Sequence, residues 1–408
     1  MMATHVEQRQ FPVLDDCLQL GGITLTRLAE RVGRTPFYAY ERNHIQSRIA
    51  LLRKMLPASV HLHYAIKANP MPALVQMMAS LVDGFDVASG GELKTALDAG
   101  MVPVRISFAG PGKSNAELRS AVAAGVVLHL ESEDEMERTA RIGELLGITP
   151  RVAVRVNPEF ELKYAGMKMA GGARQFGVDA ERVPAMLRKL GKLGLDFQGF
   201  HLFCGAQNLS AKAICEAQQL SVQLALRLAQ HAPAPMRLLN IGGGFGVPYF
   251  PGEKPLDLAA VAEGLHATVQ ALATAAPETQ LILELGRYLV AEGGIYVCRV
   301  LERKMSHGHV FVITDGGLHH HLAASGNFGQ VIRKNYPVAI GNRMQAQPRE
   351  VATVVGPLCT PLDMLADSME LARVEPGDYV VVFQSGAYGL TASPTAFLGH
   401  PPPLEVLV

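Results

Sequence analysis

Lys67 stands in the run Tyr64-Ala-Ile-Lys-Ala-Asn-Pro70, an amine set among apolar residues. Burial lowers a lysine pKa and exposes its nucleophile, so this setting suits Schiff-base chemistry. Further along lies Gly242-Gly-Gly244, and beyond it Glu284-Leu-Gly-Arg287. A glycine run lets backbone N–H groups approach an anion closely, and Arg287 adds positive charge. A lysine nucleophile with a phosphate cradle points to pyridoxal phosphate, whose pyridinium nitrogen is commonly partnered by an acidic residue. Glu284 is placed for that part. Asp86, in Phe85-Asp-Val-Ala-Ser89, and Arg155 are further charged candidates, and His201 or Phe203 offers a ring to stack on the cofactor face. Taken singly, each has a plain structural reading: a solvated lysine, a core phenylalanine, a tight glycine turn.

Positioning such a set takes a repeated frame. From residue 60 short apolar runs alternate with helix-like stretches, the pattern of βα units. Strands are expected at His61–Ile66, Phe85–Ala88, Arg105–Phe108, Val126–Leu130, Arg151–Val156, Asp196–Leu202, Leu238–Ile241 and Leu281–Leu285. Apolar spacings of three and four predict helices between them, at Met71–Leu81, Gly91–Ala99, Ala116–Ala124, Glu133–Leu146, Ala180–Leu190, Ala211–Ala229 and Leu256–Ala275. Eight strands in ~230 residues fit an α/β fold of the (β/α)8 TIM type better than an open sheet, and in such barrels chemistry sits at the C-terminal strand ends. The candidates above fall at or near such ends, except Asp86, which lies within the second strand. Past residue 290, Ile295–Leu301, Val310–Thr314, Val351–Val355 and Asp378–Phe383 read as strands between Gly, Pro and Asn turns, which predicts a mostly antiparallel β domain. The expected division is a barrel over residues 37–289, with residues 1–36 and 290–408 in the β domain. Within residues 11–40, Phe37–Tyr40 is a strand that this domain would recruit.

Composition narrows the class. The 408 residues hold 37 Lys and Arg against 37 Asp and Glu, which argues against a nucleic-acid binder held by bulk charge. No uncharged apolar run reaches the ~18 residues of a membrane span. The first thirty residues carry Glu7, Arg9, Asp15 and Asp16 and no apolar core segment, so no secretory signal is read and a cytoplasmic location is expected. Five scattered cysteines form no CxxC pair, so neither a disulfide framework nor a zinc site is expected.

The chain resembles the fold-type III pyridoxal-phosphate decarboxylases, the group of ornithine, diaminopimelate and biosynthetic arginine decarboxylases, related in fold to alanine racemase. The resemblance runs from about residue 35 to the end. Its markers are Tyr64–Pro70, Phe85–Ser89 with Gly91-Glu92-Leu93, Ile241–Phe245, Glu284–Arg287, Asp315-Gly-Gly317, Gly356-Pro-Leu-Cys359 and Gly386-Ala-Tyr388. Phe108-Ala-Gly-Pro-Gly-Lys113 and Gly166-Met-Lys-Met169 look closest to the subgroup found with exosortase and exopolysaccharide systems. The resemblance implies decarboxylation of an amino acid, with basic or diamino substrates in view. Lys67 would form the Schiff base, and Glu284 would hold the ring nitrogen protonated. Gly243, Gly244, Arg287 and Tyr388 would bind the phosphate, Gly286 would be a further cofactor-binding residue, and Asp86 and Arg155 would shape the site. Cys359, reaching in from the second subunit of a homodimer with shared sites, would reprotonate the carbanion.

Several positions depart from the pattern. The family's His-x-His-x-Gly-Ser-Gln is His201-Leu-Phe-Cys-Gly-Ala-Gln207 here. Phe203 takes the place of the ring-stacking histidine and Ala206 that of a phosphate-binding serine; a phenyl ring stacks but forms no hydrogen bond. Thr360 follows Cys359 where relatives carry Asp or Glu, and Asn327 lies near the place of an Asp for a distal ammonium. Asp363 is the neighbouring carboxylate that would substitute. No Arg for a distal carboxylate is evident after Asp315. The substrate end, expected around Asp315, Asn327, Thr360 and Asp363, is therefore non-standard. Two alternatives stay open: a racemase or epimerase on the same scaffold, which would typically place Arg where Glu284 stands, and a non-catalytic regulatory relative. His319-His-His321, read as strand, would point to alternate faces and not converge on a metal. Glu131-Ser-Glu-Asp-Glu135 reads as an acidic start to a helix.

Overall fold

A computed structural model describes residues 4–161, 163, 166–330 and 332–408. Two compact units divide the chain: Ile49–Gly246 with Leu256–Gly286, and the segments up to Arg48, Val247–Pro255 and Arg287–Val408.

In the first unit eight strands run Val60–Ala65, Gly84–Val87, Ile106–Phe108, Val127–Leu130, Arg151–Asn157, Asp196–His201, Leu238–Gly243 and Gln280–Leu285. Each pairs in parallel with the next, and the eighth returns to the first, so the sheet closes into a barrel. Closure excludes the open sheet. The expected strand ends shift by a residue or two. Arg105 falls in a 3-10 turn begun by Pro103, and Lys67 lies past the first strand in the turn Ile66–Ala68. The helices open on the short polar residues that cap them: Ser89, Ser114, Ser132, Ser210 and Asp257 each accept an N–H from three residues on. Such a cap contributes about 1 kcal/mol.

Inside the barrel Val127, Ala153, Leu238 and Ile282 form one apolar cluster. Two residues further along the same strands stand His129, Arg155, Asn240 and Glu284, all buried. Side chains at i and i+2 share a face, so an apolar layer is topped, toward the C-terminal strand ends, by a polar one.

The second unit is built on a mixed, mostly antiparallel sheet. Its long strand Gly294–Ser306 pairs antiparallel with Phe37–Tyr40, His309–Thr314 and Tyr379–Val382. Parallel pairings join His309–Thr314 to Arg349–Val355 and Phe37–Tyr40 to Leu404–Leu407. Phe37, Ala39, Ile295, Val297 and Val381 bury their side chains with Leu18, Leu20 and Leu25 from the N-terminal segment. The sequence reading starts the barrel at residue 37 yet expects the β domain to recruit Phe37–Tyr40; that strand does pair with Gly294–Ser306, and residues 37–48 fall with this unit. His319–His321 is not a strand but a buried turn, because the preceding strand ends at Thr314, before Gly316 and Gly317.

Candidate active site

The polar layer of the barrel is a connected set. Glu284, on the eighth strand, is 6% exposed, and its Oε2 lies 3.4 Å from Asn240 Nδ2. The same amide lies 3.4 Å from Asp86 Oδ1 on the second strand. The other Asp86 oxygen is 3.2 Å from His63 Nδ1. His201 brings Nε2 to 3.3 Å from Glu284 Oε2, close but poorly aligned for a hydrogen bond. His201 Nδ1 meets His129 Nδ1 at 2.9 Å. Asp86 and Glu284 face each other's charge, so their protonation is linked. Burial pushes Asp86 up, and the Glu284 charge pushes it further, against the pull of His63. Burial also pushes Glu284 up, but the facing His201 and the charges of Lys67 and Arg155 outweigh it and hold this carboxyl below the usual range. An anion therefore sits at the top of a closed barrel.

Lys67 is half-buried, its Nζ 5.2 Å from the centre of the Phe203 ring. Phe203 lies in the loop after the sixth strand and is 8% exposed. The barrel thus brings Lys67, Asp86, Arg155, His201, Phe203 and Glu284 to its C-terminal end. Arg155 is already engaged: it donates to Glu131 Oε1 at 2.7 Å, and its guanidinium lies 4.9 Å from the Phe176 ring. In the glycine run, Gly242 and Gly244 have φ of 66° and 74°. A Cβ on Gly243 would fall 2.3 Å from Glu284 O, so the chain approach itself requires glycine there. A Cβ on Gly286 would meet that of Ala68 at 3.0 Å, a tight packing next to the lysine turn.

In the second unit Arg287 donates to the Tyr249 hydroxyl at 3.0 Å and lies 4.6 Å from the Tyr388 ring centre. Cys359 is exposed and Thr360 half-buried, on the turn after Arg349–Val355. Asp363 is 2% exposed and accepts from the N–H groups of Leu318, at 2.6 Å, and Leu358, at 2.8 Å. One oxygen holds the backbone just before Cys359, and the other holds the backbone just before His319. Asp315 accepts from Arg299 N at 2.7 Å and from the Thr35 hydroxyl, and Asn327 donates to Ser325 Oγ at 2.9 Å. Each of these three side chains is thus engaged within its own unit.

Comparison with known proteins decides the family. Residues 42–291 match the model for the pyridoxal-dependent decarboxylase pyridoxal-binding domain. The chain belongs to the pyridoxal-dependent decarboxylases. It is 39% identical over 396 residues to the L-glutamyl-[BtrI acyl-carrier protein] decarboxylase of Niallia circulans, covering 96% of this chain and 92% of that one. To the diaminopimelate decarboxylase of Aquifex aeolicus it is 34% identical over 400 residues, 97% and 91% of the two chains. The crystal structure of the Helicobacter pylori diaminopimelate decarboxylase with L-lysine superposes with a TM-score of 0.82 at 28% identity, covering 94% of each chain. The fold is that of the fold-type III enzymes, the chain is an amino-acid decarboxylase, and its cofactor is pyridoxal phosphate.

The barrel residues suit that cofactor. A buried carboxylate kept ionised is the partner a protonated ring nitrogen needs, and the lysine amine beside an apolar ring suits covalent attachment of an aldehyde. Sequence reasoning missed His63, His129, Glu131 and Asn240, whose partners stand on other strands. Glu131 in particular is more than part of a helix start. It takes hydrogen bonds from Arg155 and from the N–H groups of Gly110, at 2.5 Å, and Gly177, at 3.1 Å. Its place at the end of the fourth strand was the available signal. Among the described residues no helix is long and apolar enough to cross a membrane.

Proposed function

We propose that Lys67 carries the cofactor, that Glu284 accepts the hydrogen of its ring nitrogen, and that Cys359 returns a proton to the substrate Cα. Bound pyridoxal phosphate supplies an electron sink for the pair left when the carboxylate departs. Glu284 stays ionised and so keeps the ring nitrogen protonated, which deepens that sink. Phe203 covers a ring face by apolar contact. Gly243 and Gly244 offer backbone N–H groups to the phosphate, and the family resemblance adds Arg287 and Tyr388, with Gly286 as a further cofactor-binding residue. Asp86 and Arg155 shape the surroundings. The exposed Cys359 thiol fits a group that serves the partner's site in a homodimer. The observation that carries this reading is the buried, ionised Glu284 within electrostatic reach of Lys67.

The substrate's distal end follows from what is already occupied. Asp363 spends both oxygens on backbone N–H groups, and the residue directly after Cys359 is Thr360, not a carboxylate. We infer that the distal end is not a free ammonium held by Asp363 or Thr360. A glutamyl group carried on an acyl-carrier protein, as the name of the Niallia circulans relative prints, fits better than ornithine or diaminopimelate. The test is carbon dioxide release from glutamyl-carrier protein beside free glutamate, ornithine and diaminopimelate. Release from the carrier-bound substrate alone is expected. Release chiefly from a free diamino acid would overturn the assignment. The exosortase and exopolysaccharide association stays a proposal from the sequence motifs, as does a cytoplasmic site of action.

A further inference from the structure

Two ring nitrogens 2.9 Å apart share one hydrogen, so of His129 and His201 one donates and the other accepts. The far nitrogen of His201 settles which. It faces Glu284 Oε2 at 3.3 Å, and a lone pair aimed at an anion is repelled, so Nε2 bears a hydrogen. His201 then has two states. Neutral, its bare Nδ1 accepts from His129 Nδ1–H. Cationic, its Nδ1–H donates, and His129 must move its own hydrogen to Nε2. That atom is buried with no hydrogen-bond partner among the described residues. A buried N–H left unpaired is the costlier orphan, while a bare ring nitrogen is tolerated. The surroundings point the same way: His129 is fully buried and faces Lys113, Arg155, His63 and His201, with Asp86 and Glu284 engaged elsewhere.

We propose that His129 is a positioning residue that keeps His201 neutral and so reserves the Glu284 charge for the cofactor's ring nitrogen. A cationic His201 would neutralise Glu284 and compete with the ring for it. A neutral His201 keeps its Nε2 edge 3.3 Å from the carboxylate and leaves its charge unspent. Burial lowers the His129 pKa, and the charges of Lys113 and Arg155 add to it, so His129 itself does not supply a second proton. The proposal rests on the reading that Glu284 serves the cofactor.

The test uses holoenzyme labelled with 15N-histidine and long-range 1H–15N correlation, which reports the hydrogen on each ring nitrogen. Peaks are assigned by His129→Leu and His201→Gln. At about pH 7.5 the expected result is neutral His201 with hydrogen on Nε2 and His129 with hydrogen on Nδ1. In His129→Leu, His201 takes a second proton at higher pH than in the native enzyme. Its kcat falls at least ~10-fold with little change in KM, as for lost outer support of a reacting group. His129→Asn returns an N–H donor and recovers both readouts. A doubly protonated His201 in the native enzyme would overturn the proposal. So would a folded, cofactor-binding His129→Leu protein whose His201 titration and kcat are unmoved. Should His129→Leu not fold, the native tautomers decide alone. They are read whether or not any amino acid is turned over, so this proposal and the functional reading fail separately.

Discussion

At the scale of single residues, the account turns on Glu284. Its carboxylate is useful because it is both buried and ionised, a combination that the facing His201 and the charges of Lys67 and Arg155 sustain against desolvation. Glu284→Gln keeps the shape and removes the charge. It is expected to lower kcat by ~100-fold or more while cofactor still binds, the scale seen when one preorganised electrostatic partner is lost. Steady-state kinetics on the loaded enzyme check this, and an unchanged kcat would remove Glu284 from the chemistry. Lys67→Ala is expected to abolish covalent attachment, read as loss of the lysine adduct by mass spectrometry after borohydride reduction. Much of this residue set was legible in the sequence. Lys67, the glycine run and Glu284 each sit where a strand ends, and a strand end is visible locally. His129 and Asn240 were not legible, because their meaning lies in atoms contributed by strands far away in the chain. Asp363 was legible as a carboxylate but not as one spent on the Leu318 and Leu358 N–H groups.

At the scale of elements, the barrel strands place an apolar layer beneath the polar one. Ile282→Ala would open a cavity in that lower layer and is expected to cost about 2–5 kcal/mol, measured by denaturant unfolding. The strand count was readable because apolar runs alternate with helical spacing. The His319–His321 turn was misread as strand, since three histidines carry no periodic signal and the glycines that stop the strand are equally compatible with a bulge. That turn has its own pH signature. Burial lowers His319 to about 4 and His320 and His321 to about 3. Unfolded, these rings take protons near pH 6.5. Between those values the unfolded state binds more protons, so stability rises with pH. The melting temperature is therefore expected to hold above ~6.5 and to fall steadily as pH drops toward ~4, with a smaller fall in His321→Gln. A native melting temperature flat across that window would contradict the burial of these rings.

For the whole molecule, the proposed homodimer with shared sites makes a prediction that no single chain can mimic. Lys67→Ala and Cys359→Ala are each expected to be nearly inactive. Mixed and allowed to exchange subunits, they should recover about a quarter of native activity, because half the dimers are hybrid and one of their two sites is intact. No recovery, with exchange verified, would place both residues in one subunit's site. The central claim is that this chain removes a carboxylate from an amino acid by chemistry based on Lys67 and supported by Glu284. The most direct measurement follows carboxyl-labelled carbon dioxide from cofactor-loaded enzyme, offered carrier-bound and free amino acids in deuterated water. The account predicts labelled carbon dioxide with one deuterium placed at the former Cα, and neither product from Lys67→Ala. Deuterium exchange at Cα with the carboxylate retained would contradict it and make the chain a racemase or epimerase.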